Sequence, residues 1–360
     1  MKVVVSGGGT GGHIYPAIAI ANKFKKEDNA QILYIGTKDG LESKVVPKEF
    51  DFKTIEVTYL RRKINFDNVK RVFKSLKATL DAIKIIKKFK PDLIVGTGGY
   101  VSGPVILAGK LLNIKTAIHE QNSYPGITNK IAARFCNRVM ISFLDAKKYF
   151  KDQNKVVLTG NPVRQDIIDA KREDMRKKLN LKDDEKFVLC VGGSGGSLSI
   201  NNAMKEPIEY FFENNIKFMH VTGERFYNDY IDEFKGMNLK ENQNIISYLN
   251  DIVTYLTASD LVISSGGAIF LAEVSAKQVA PIIIPKAYTA ENHQEHNARA
   301  LEKENAGICI LEKELEGNKL FEVIKELLED DDKIENIKNN MQRISQVDAI
   351  DKIYNALKSI

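Results

Sequence analysis

A glycine-rich turn followed by a histidine lies near the start of the chain. Residues 6–16 read SGGGTGGHIYP, and Gly7, Gly9 and Gly12 match the pattern G-x-G-x-x-G of dinucleotide-binding loops. Such a turn lets the backbone approach a ligand closely and directs unpaired N–H groups at an anion. His13 follows directly, where the positive end of a helix favours a neutral imidazole that can act as a general base. The alternative interpretation of His13 is a helix-capping side chain.

The next strand argues against a dinucleotide at this loop. A nicotinamide- or flavin-binding sheet places an acidic residue at the tip of its second strand, where it binds the ribose. The corresponding stretch reads YIGTKDG (34–40), so Asp39 stands beyond a Gly-Thr-Lys turn and beside a lysine. An NAD(P)-dependent oxidoreductase therefore stays only as a rival hypothesis.

Two more polar loops follow strands in the first half of the chain. They read GTGGYVSGP (96–104) and HEQNSYPGITNK (119–130). Because ligands of open α/β sheets bind at the carboxyl ends of the strands, we expect these loops to converge with the first on one rim. Glu120 is either a general base or a structural ion-pair partner.

The second half offers its own set of loops. These are GGSGGS (192–197), SSGGAIFLAE (264–273) and KAYTAENHQEHNA (286–298). Ser194 and its neighbours could bind a diphosphate, and Glu273 could accept hydrogen bonds from a ribose diol or simply complement a helix dipole. The chain has no G-x-x-x-x-G-K-[ST] sequence, and its D-x-D arrangement falls within EDDDK (329–333), so we expect neither a P-loop nor a metal–diphosphate clamp.

The elements that position these loops repeat along the chain. Val- and Ile-rich runs without alternation, separated by helices, predict parallel sheets covered on both faces, the doubly wound α/β architecture. The predicted strands are Lys2–Ser6, Gln31–Gly36, Leu93–Gly96, Lys115–His119, Arg138–Ile141, Lys186–Val191, Lys217–Thr222, Asn244–Ser247, Leu261–Ser264 and Val279–Ile284. KVVVSGGGTGGHIYPAIAIANKF and KFVLCVGGSGGSLSINNAMKEPI (186–208) repeat the order strand, glycine-rich turn and helix. This predicts two Rossmann-like domains facing each other across a cleft.

We place the domain boundary near GNPVR (160–164). The prediction is an N-terminal domain of residues 1–163 and a C-terminal domain of residues 164–340. The sequence does not decide to which domain the last helix, at 348–358, belongs. The segment of about 341–360 could therefore pack back on the first domain.

Composition and charge limit the class of protein. The 360 residues are 43% hydrophobic and 28% charged, as in a soluble globular protein. Cys136, Cys190 and Cys309 are far apart, which fits a reducing cytoplasm, and the N-terminus does not resemble a signal peptide. Residues 1–165 carry 29 Lys and Arg against 13 Asp and Glu, whereas the remainder carries 24 against 34. This asymmetry indicates that the first half meets a polyanion or an anionic surface.

A basic amphipathic helix is predicted within that half. Residues 65–90 read NFDNVKRVFKSLKATLDAIKIIKKFK, preceded by LRRK (60–63), with apolar residues at helical spacing and lysines on the other face. An ordinary surface helix would carry the same apolar stripe. The excess of lysine favours a helix that touches anionic lipid. Nucleic acid is the rival polyanion. However, no exposed aromatic residues are interleaved with the lysines of this segment, and no nucleic-acid-binding motif is present, so we expect no nucleic-acid partner.

Taken together, the motifs resemble a known family. GGTGGHIYP (8–16), GGYVSGP (98–104), HEQN (119–122), TNK (128–130) and GNPVR (160–164) occur in the order and spacing of the MurG-type N-acetylglucosaminyltransferases of peptidoglycan synthesis. The resemblance spans the whole chain. It implies a GT-B fold, with the nucleotide-sugar donor in the C-terminal domain and the acceptor in the N-terminal one. It further implies a role in cell-wall biogenesis, cell shape and cell division, at the cytoplasmic face of the membrane as a peripheral protein.

The implied reaction moves N-acetylglucosamine from UDP-N-acetylglucosamine to the 4-hydroxyl of the muramoyl sugar on undecaprenyl diphosphate. The acceptor is lipid I, the product is lipid II, and the anomeric centre is inverted. No cofactor is expected, because the UDP-sugar is a substrate and helix N-termini and loop amides can stabilise the departing diphosphate.

The resemblance also assigns residues, motif by motif. The positions implied to contact the donor are Thr10, Gly11, Gly12, Asn122, Arg164, Ser194, Leu249, Ala268, Ile269, Glu273 and Gln294, and the acceptor diphosphate loops include Gly98, Gly99, Tyr100, Ser102, His119 and Asn129. Among the donor positions, Leu249 is implied to face the uracil, Glu273 the ribose and Gln294 the donor sugar. For the general base we predict His13, with Glu120 as the second candidate.

The departures from the family pattern all lie in the donor half. Gly195 replaces a glutamine of the diphosphate loop, Ser265 replaces an arginine, and Ile269 and Phe270 replace a Ser/Thr pair. Backbone donors survive these changes, whereas side-chain hydrogen bonds do not. Besides the oxidoreductase, the rival hypotheses are a sugar-nucleotide 2-epimerase of the same fold and a non-catalytic subunit that binds the lipid carrier.

Overall fold

The computed structural model describes residues 1–57, 66–193, 195–239, 243–315 and 318–360, without the side chains of residues 66–73. Some predictions lie outside the described residues, namely Ser194, the segment LRRK (60–63) and the side chains at 66–73 of the basic helix. The chain divides into two compact units. The first is Met1–Pro162 together with Asp348–Ile360, and the second is Val163–Val347.

The first unit is built on a parallel sheet. Its described strands are β1 (Lys2–Gly7), β2 (Gln31–Gly36), β3 (Asp51–Thr54), β4 (Leu93–Gly98), β5 (Lys115–Glu120), β6 (Arg138–Ile141) and β7 (Val156–Leu158). They lie in the order β3-β2-β1-β4-β5-β6-β7, and each neighbouring pair is parallel. The order reverses between β1 and β4, so the loops that follow these two strands flank the switch point where ligands of such sheets bind.

Helices cover both faces of this sheet. They are α1 (Gly11–Asp28), α2 (Glu42–Val45), α3 (Phe66–Phe89), α4 (Ser102–Leu111), α5 (Ile127–Ala132) and, from the end of the chain, α16 (Ala349–Lys358). Val3, Val4 and Val5 are all fully buried, which explains why β1 is a continuous apolar run. The last helix packs on α1, where the rings of Tyr354 and Phe24 lie 5.0 Å apart.

The second unit repeats the architecture. Its described strands are β8 (Phe187–Val191), β9 (Lys217–Val221), β10 (Gln243–Ile246), β11 (Leu261–Ser264), β12 (Ala280–Ile283) and β13 (Ile308–Cys309). Their order is β10-β9-β8-β11-β12-β13, again parallel throughout, with the switch point between β8 and β11. The predicted pair of Rossmann-like parallel-sheet domains is confirmed.

Ten described helices surround this second sheet or connect its strands. They are α6 (Gln165–Asp169), α7 (Arg172–Lys178), α8 (Leu198–Ala203), α9 (Lys205–Glu213), α10 (Glu224–Asp232), α11 (Ile252–Ala258), α12 (Ala268–Ala276), α13 (His293–Lys303), α14 (Lys319–Glu329) and α15 (Asp331–Ile344). Among the helices of the described residues, none combines the length and apolar character that a membrane span needs.

Candidate functional site

The loops after β1 and β4 touch each other in the first unit. Gly99 has φ +76°, and a Cβ at this position would lie 2.2 Å from the carbonyl oxygen of Gly8. A side chain there would collide with backbone, so only glycine permits this approach. Tyr100 packs beside Gly9, whose own φ is +88°. The structure therefore brings the glycine loops after β1 and β4 together at the switch point.

His13 lies in the first turn of α1, against the second of these loops. Its ring is so close to Gly98 that a Cβ there would lie 2.8 Å from Nδ1. The hydroxyl of Thr97 donates to the backbone oxygen of His13 at 2.6 Å and fixes the start of the helix. Nδ1 lies 3.0 Å from Oε1 of Gln121, the third residue of the HEQN motif. The half-buried imidazole is thus held in place from both neighbouring loops.

Glu120 has a different environment. Its side chain is 1% exposed. Oε1 accepts hydrogen bonds from the backbone and side-chain nitrogens of Asn122 at 3.0 and 3.2 Å. Oε2 accepts from the Gly126 amide at 3.1 Å and from Nδ2 of Asn129 at 2.9 Å. The carboxylate therefore organises the loop after β5, and this geometry favours His13 over Glu120 as the base.

Three of the predicted acceptor-loop residues are buried in the first unit. His119 is fully buried, with Nε2 2.9 Å from the backbone oxygen of Gly160, and burial lowers the pKa of its imidazole to about 4. Asn129 is 2% exposed and donates to the backbone oxygen of His119. Ser102 is 1% exposed and donates to the Gly99 oxygen at 3.2 Å. These three side chains hydrogen-bond to backbone oxygens and support the loops at this edge of the sheet from the interior.

Glu42 is a site residue that the motif analysis missed. Its fully buried carboxylate accepts hydrogen bonds from the Gly9 amide at 3.2 Å and from the amide and hydroxyl of Thr37 at 3.1 and 2.6 Å. It ties the first glycine loop to the segment after β2. The sequence signal was an acidic residue shortly after GTKDG, but only the fold brings it under the loop.

In the second unit, the described part of the loop after β8 lies close to the backbone that follows β9. Gly193 and Gly196 have φ of +87° and +71°, and a Cβ at Gly196 would lie 2.1 Å from the backbone oxygen of Thr222. Nζ of Lys286 donates to the Gly196 oxygen at 2.8 Å, and burial lowers the pKa of this amine. Lys286 stands where its charge reaches the predicted diphosphate loop, although sequence reasoning did not single it out.

The neighbouring loops join this group. Oε1 of Gln294 accepts from the Lys286 amide at 3.0 Å, and a Cβ at Gly193 would lie 3.2 Å from the hydroxyl oxygen of Ser265. Leu249 follows β10, two strands away from β8, and is half-buried. The structure thus gathers Gln294, Ser265 and the glycine loop, with Leu249 farther along the same edge of the sheet.

Glu273 lies in α12, the helix that contains two of the departures from the family pattern, Ile269 and Phe270. Ala268 begins this helix and is buried, while Ile269 and Phe270 are half-buried. Oε1 of Glu273 accepts a hydrogen bond from Nε of Arg164 at 3.0 Å. Burial raises the pKa of the Glu273 carboxyl, and the charge of Arg164 opposes this rise. Among the described residues, no group of three His, Cys, Asp or Glu side chains is arranged to hold a metal ion.

Two Rossmann-like units with glycine loops at both switch points agree with the GT-B fold that the motifs imply, and the comparisons show the family. The N-terminal domain of glycosyltransferase family 28 matches residues 3–141, and its C-terminal domain matches residues 187–353. The chain belongs to glycosyltransferase family 28 and, within it, to the MurG-type transferases, as its relatives establish.

Two of these relatives are named UDP-N-acetylglucosamine--N-acetylmuramyl-(pentapeptide) pyrophosphoryl-undecaprenol N-acetylglucosamine transferase. The protein of Clostridioides difficile (strain 630) is 48% identical, over 100% of this chain and 89% of its own length. That of Thermoanaerobacter sp. (strain X514) is 44% identical over 100% of both chains.

Solved structures agree on the fold. MurG of Acinetobacter baumannii aligns with a TM-score of 0.80 at 23% identity, covering 100% of this chain and 99% of its own. The UDP-GlcNAc 2-epimerase of Neisseria meningitidis aligns with a TM-score of 0.70 at 13% identity over 100% of both chains. At these identities the likeness concerns the fold alone, so the epimerase is a distant neighbour in architecture.

Proposed function

We propose that this protein transfers N-acetylglucosamine from UDP-N-acetylglucosamine to the muramoyl 4-hydroxyl of lipid I and so forms lipid II. The observation that carries the proposal is the full-length identity of 44–48% to relatives named for this transfer. The epimerases share the fold at 13% identity, which supports no second function.

The chemistry assigns complementary tasks to the two units. Transfer with inversion needs a base that takes the proton of the acceptor hydroxyl, and it needs donors that stabilise the leaving diphosphate. We assign the first task to His13, which the loops after β4 and β5 hold in place. The second falls to the amides of the loop after β8, with the ammonium of Lys286 beside them. This lysine offers a positive charge where the family's usual arginine is replaced by Ser265. No cofactor enters this scheme.

The transfer assay tests the proposal with the purified protein. UDP-N-acetylglucosamine with labelled sugar is incubated with and without lipid I, and the lipid fraction is extracted. We expect label in that fraction only when lipid I is present. If label stays in the aqueous phase in both reactions, the protein is not this transferase.

Glu273 is proposed to bind the ribose of the donor. Because its carboxylate is buried, we expect it to lower the stability of the folded protein at neutral pH. Its folded-state pKa lies above the ordinary value of 4.5, so its contribution to stability is present below about pH 4.5 and is lost as the pH rises through the folded-state pKa. The variant Glu273→Gln removes the ionisation. We therefore expect a melting temperature above that of the parent at pH 7, with the difference vanishing towards pH 4.

The same variant should bind UDP about 10- to 100-fold more weakly, because an uncharged amide with one acceptor oxygen replaces a carboxylate with two. Calorimetric titration with UDP and thermal melts across pH provide both readings. Glu209→Gln, on the exposed side of α9, is the matched control and should change neither quantity. A Glu273→Gln protein that binds UDP like the parent would remove Glu273 from the donor site.

We further propose that the first unit binds an anionic membrane surface. Helix α4 packs against both α3 and α5. What we call the apolar–basic surface is the set of exposed side chains on and next to these helices, namely Leu76, Leu80, Leu111, Ile127 and Ile131 with the cations Lys77, Lys84, Lys110 and Arg134. Apolar side chains among lysines are typical of proteins that lie on anionic lipid, each basic residue contributing about 1 kcal/mol.

This placement predicts which lipids the protein binds. Leu76 and Leu80 are 52% and 59% exposed and one helical turn apart. Changing both to serine should lower co-sedimentation with phosphatidylglycerol vesicles at least about fivefold, through lost apolar burial. Neutral phosphatidylcholine vesicles should bind the parent weakly. Leu158→Ser, a 38% exposed leucine on the edge strand β7, is the control. Equal binding by the double variant and the control would contradict the assignment.

Such a surface, together with a UDP-sugar donor, supports a peripheral position at the cytoplasmic face of the membrane. The three cysteines agree with this compartment, because Cys136, Cys190 and Cys309 are buried free thiols, as is usual in a reducing environment.

A further inference from the structure

A chain of hydrogen-bonding groups leads from His13 into the interior of the first unit. Nδ1 of His13 lies 3.0 Å from Oε1 of Gln121, and Nε2 of Gln121 lies 3.0 Å from Nδ1 of His119. Nε2 of His119 lies 2.9 Å from the backbone oxygen of Gly160. Gln121 is 1% exposed and His119 is fully buried. The direction of each hydrogen bond in this chain can be deduced from its fixed ends.

The inner end is fixed by a carbonyl. The Gly160 oxygen can only accept, so Nε2 of His119 carries a hydrogen. Ser142 also approaches this nitrogen, at 3.4 Å, but its hydroxyl has better acceptors in Oδ1 of Asn161 at 2.7 Å and the backbone oxygen of Glu120 at 2.9 Å. Burial lowers the pKa of His119 to about 4, so the ring is neutral at physiological pH. Its Nδ1 therefore carries a lone pair and accepts.

The orientation of Gln121, in the middle of this hydrogen-bonded series, is deduced in the same way. The amide nitrogen of Gln121 lies 3.1 Å from the backbone oxygen of His119 as well as 3.0 Å from its Nδ1. Both partners are acceptors, so the Gln121 atom that faces them is the NH₂ group. Its oxygen must then face His13. Because that oxygen can only accept, Nδ1 of His13 carries the hydrogen.

We propose that Gln121 and His119 are positioning residues that lock His13 in the tautomer with hydrogen on Nδ1 and a lone pair on Nε2. The proposal rests on the proposed function, in which Nε2 takes the proton of the acceptor hydroxyl. As that oxygen bonds to the anomeric carbon, the bond from this carbon to the diphosphate breaks and its electron pair leaves with UDP. The new imidazolium keeps its Nδ1–H bond to Gln121, and no proton passes further along the chain.

Nitrogen NMR of the histidine rings tests the lock without any substrate. The chain has five histidines, so ¹⁵N-histidine labelling gives few signals, and the His13 and His119 signals are assigned by their loss in His13→Ala and His119→Asn. At about pH 8, where free imidazoles are neutral, we expect His13 protonated on Nδ1 and His119 protonated on Nε2. Finding His13 protonated on Nε2, or as an even mixture of tautomers, overturns the proposal.

The variant Gln121→Met removes the acceptor and keeps the side-chain volume. We expect the His13 signals to become those of exchanging tautomers, with kcat at least about 10-fold lower and KM for UDP-N-acetylglucosamine changed less than about twofold, since only the base is affected. Gln243→Met is the matched control, because Gln243 is another 1% exposed amide that donates to two backbone oxygens. Its kcat should equal that of the parent.

The two proposals fail in different ways. Predicted tautomers in a protein that makes no lipid II would leave the lock standing and refute the transferase. Lipid II synthesis with an unchanged His13 spectrum and kcat in Gln121→Met would refute the lock and leave the transferase standing.

Discussion

Replacing His13 by alanine should lower kcat about 10²- to 10⁴-fold, the usual contribution of a general base. The diphosphate and ribose contacts that we propose for the donor lie in the second unit, so the dissociation constant for UDP-N-acetylglucosamine should stay within about threefold of the parent's. The imidazole packs against Gly98 and lies within hydrogen-bond distance of Gln121. The substitution therefore removes the group that we propose as the base. Initial-rate kinetics with lipid I and calorimetry with the donor measure the two quantities.

Rescue of the variant by added imidazole provides a chemical control for this prediction. Added imidazole should restore part of the lost rate in His13→Ala, because the small base can enter the space of the missing ring. His296→Ala removes an exposed histidine of α13 and should keep kcat within about twofold, as surface changes usually do. A near-normal kcat in His13→Ala would remove His13 from the mechanism.

Replacing Glu120 by alanine should mainly destabilise the first unit. The change leaves the donors of Asn122, Gly126 and Asn129 without the carboxylate that they share. Buried hydrogen bonds to a charged acceptor are each worth about 1.5–3 kcal/mol. A loss of about 3 kcal/mol lowers the melting temperature of a unit of this size by about 6–12 °C. Activity should fall with it, because the disturbed loop carries Gln121.

The melting temperature separates the two roles open to Glu120. A base that does nothing else would lower kcat and leave the melting temperature unchanged, whereas a loop organiser lowers both. Glu49→Ala, at an exposed glutamate of the same unit, should melt with the parent. A Glu120→Ala protein with parental stability and no turnover would make Glu120, the second candidate, the first candidate for the base.

The sequence predicted the sheets well where strands are buried on both faces. β1, β2 and β11 are uninterrupted apolar runs, and their predicted and observed bounds agree within one residue. Three strands, β3, β7 and β13, were not predicted, and all three lie at sheet edges. β3 reads DFKT and is mostly exposed, so its pairing comes from the neighbouring strand rather than from its own apolar pattern.

The candidate site was predictable at the level of loops but not of individual contacts. Glycine turns and polar strand ends indicated which loops meet, since the carboxyl ends of parallel strands share one edge. Glu42 and Lys286 act on these loops from other elements, and their contributions depend on the tertiary fold. The HEQN motif placed Glu120 and Gln121 side by side, but only atomic distances show that one organises the loop while the other faces His13.

The central claim is that the protein joins two substrates with inversion, and proton NMR of the complete reaction tests it most directly. Purified protein is incubated with UDP-N-acetylglucosamine and lipid I, and the anomeric signals are followed with time. We predict that the α-linked donor signal declines while a β-linked N-acetylglucosamine on the muramoyl 4-oxygen and free UDP rise in equal amounts. Formation of a 2-epimeric nucleotide sugar, an α-linked product, or UDP without lipid II would contradict it.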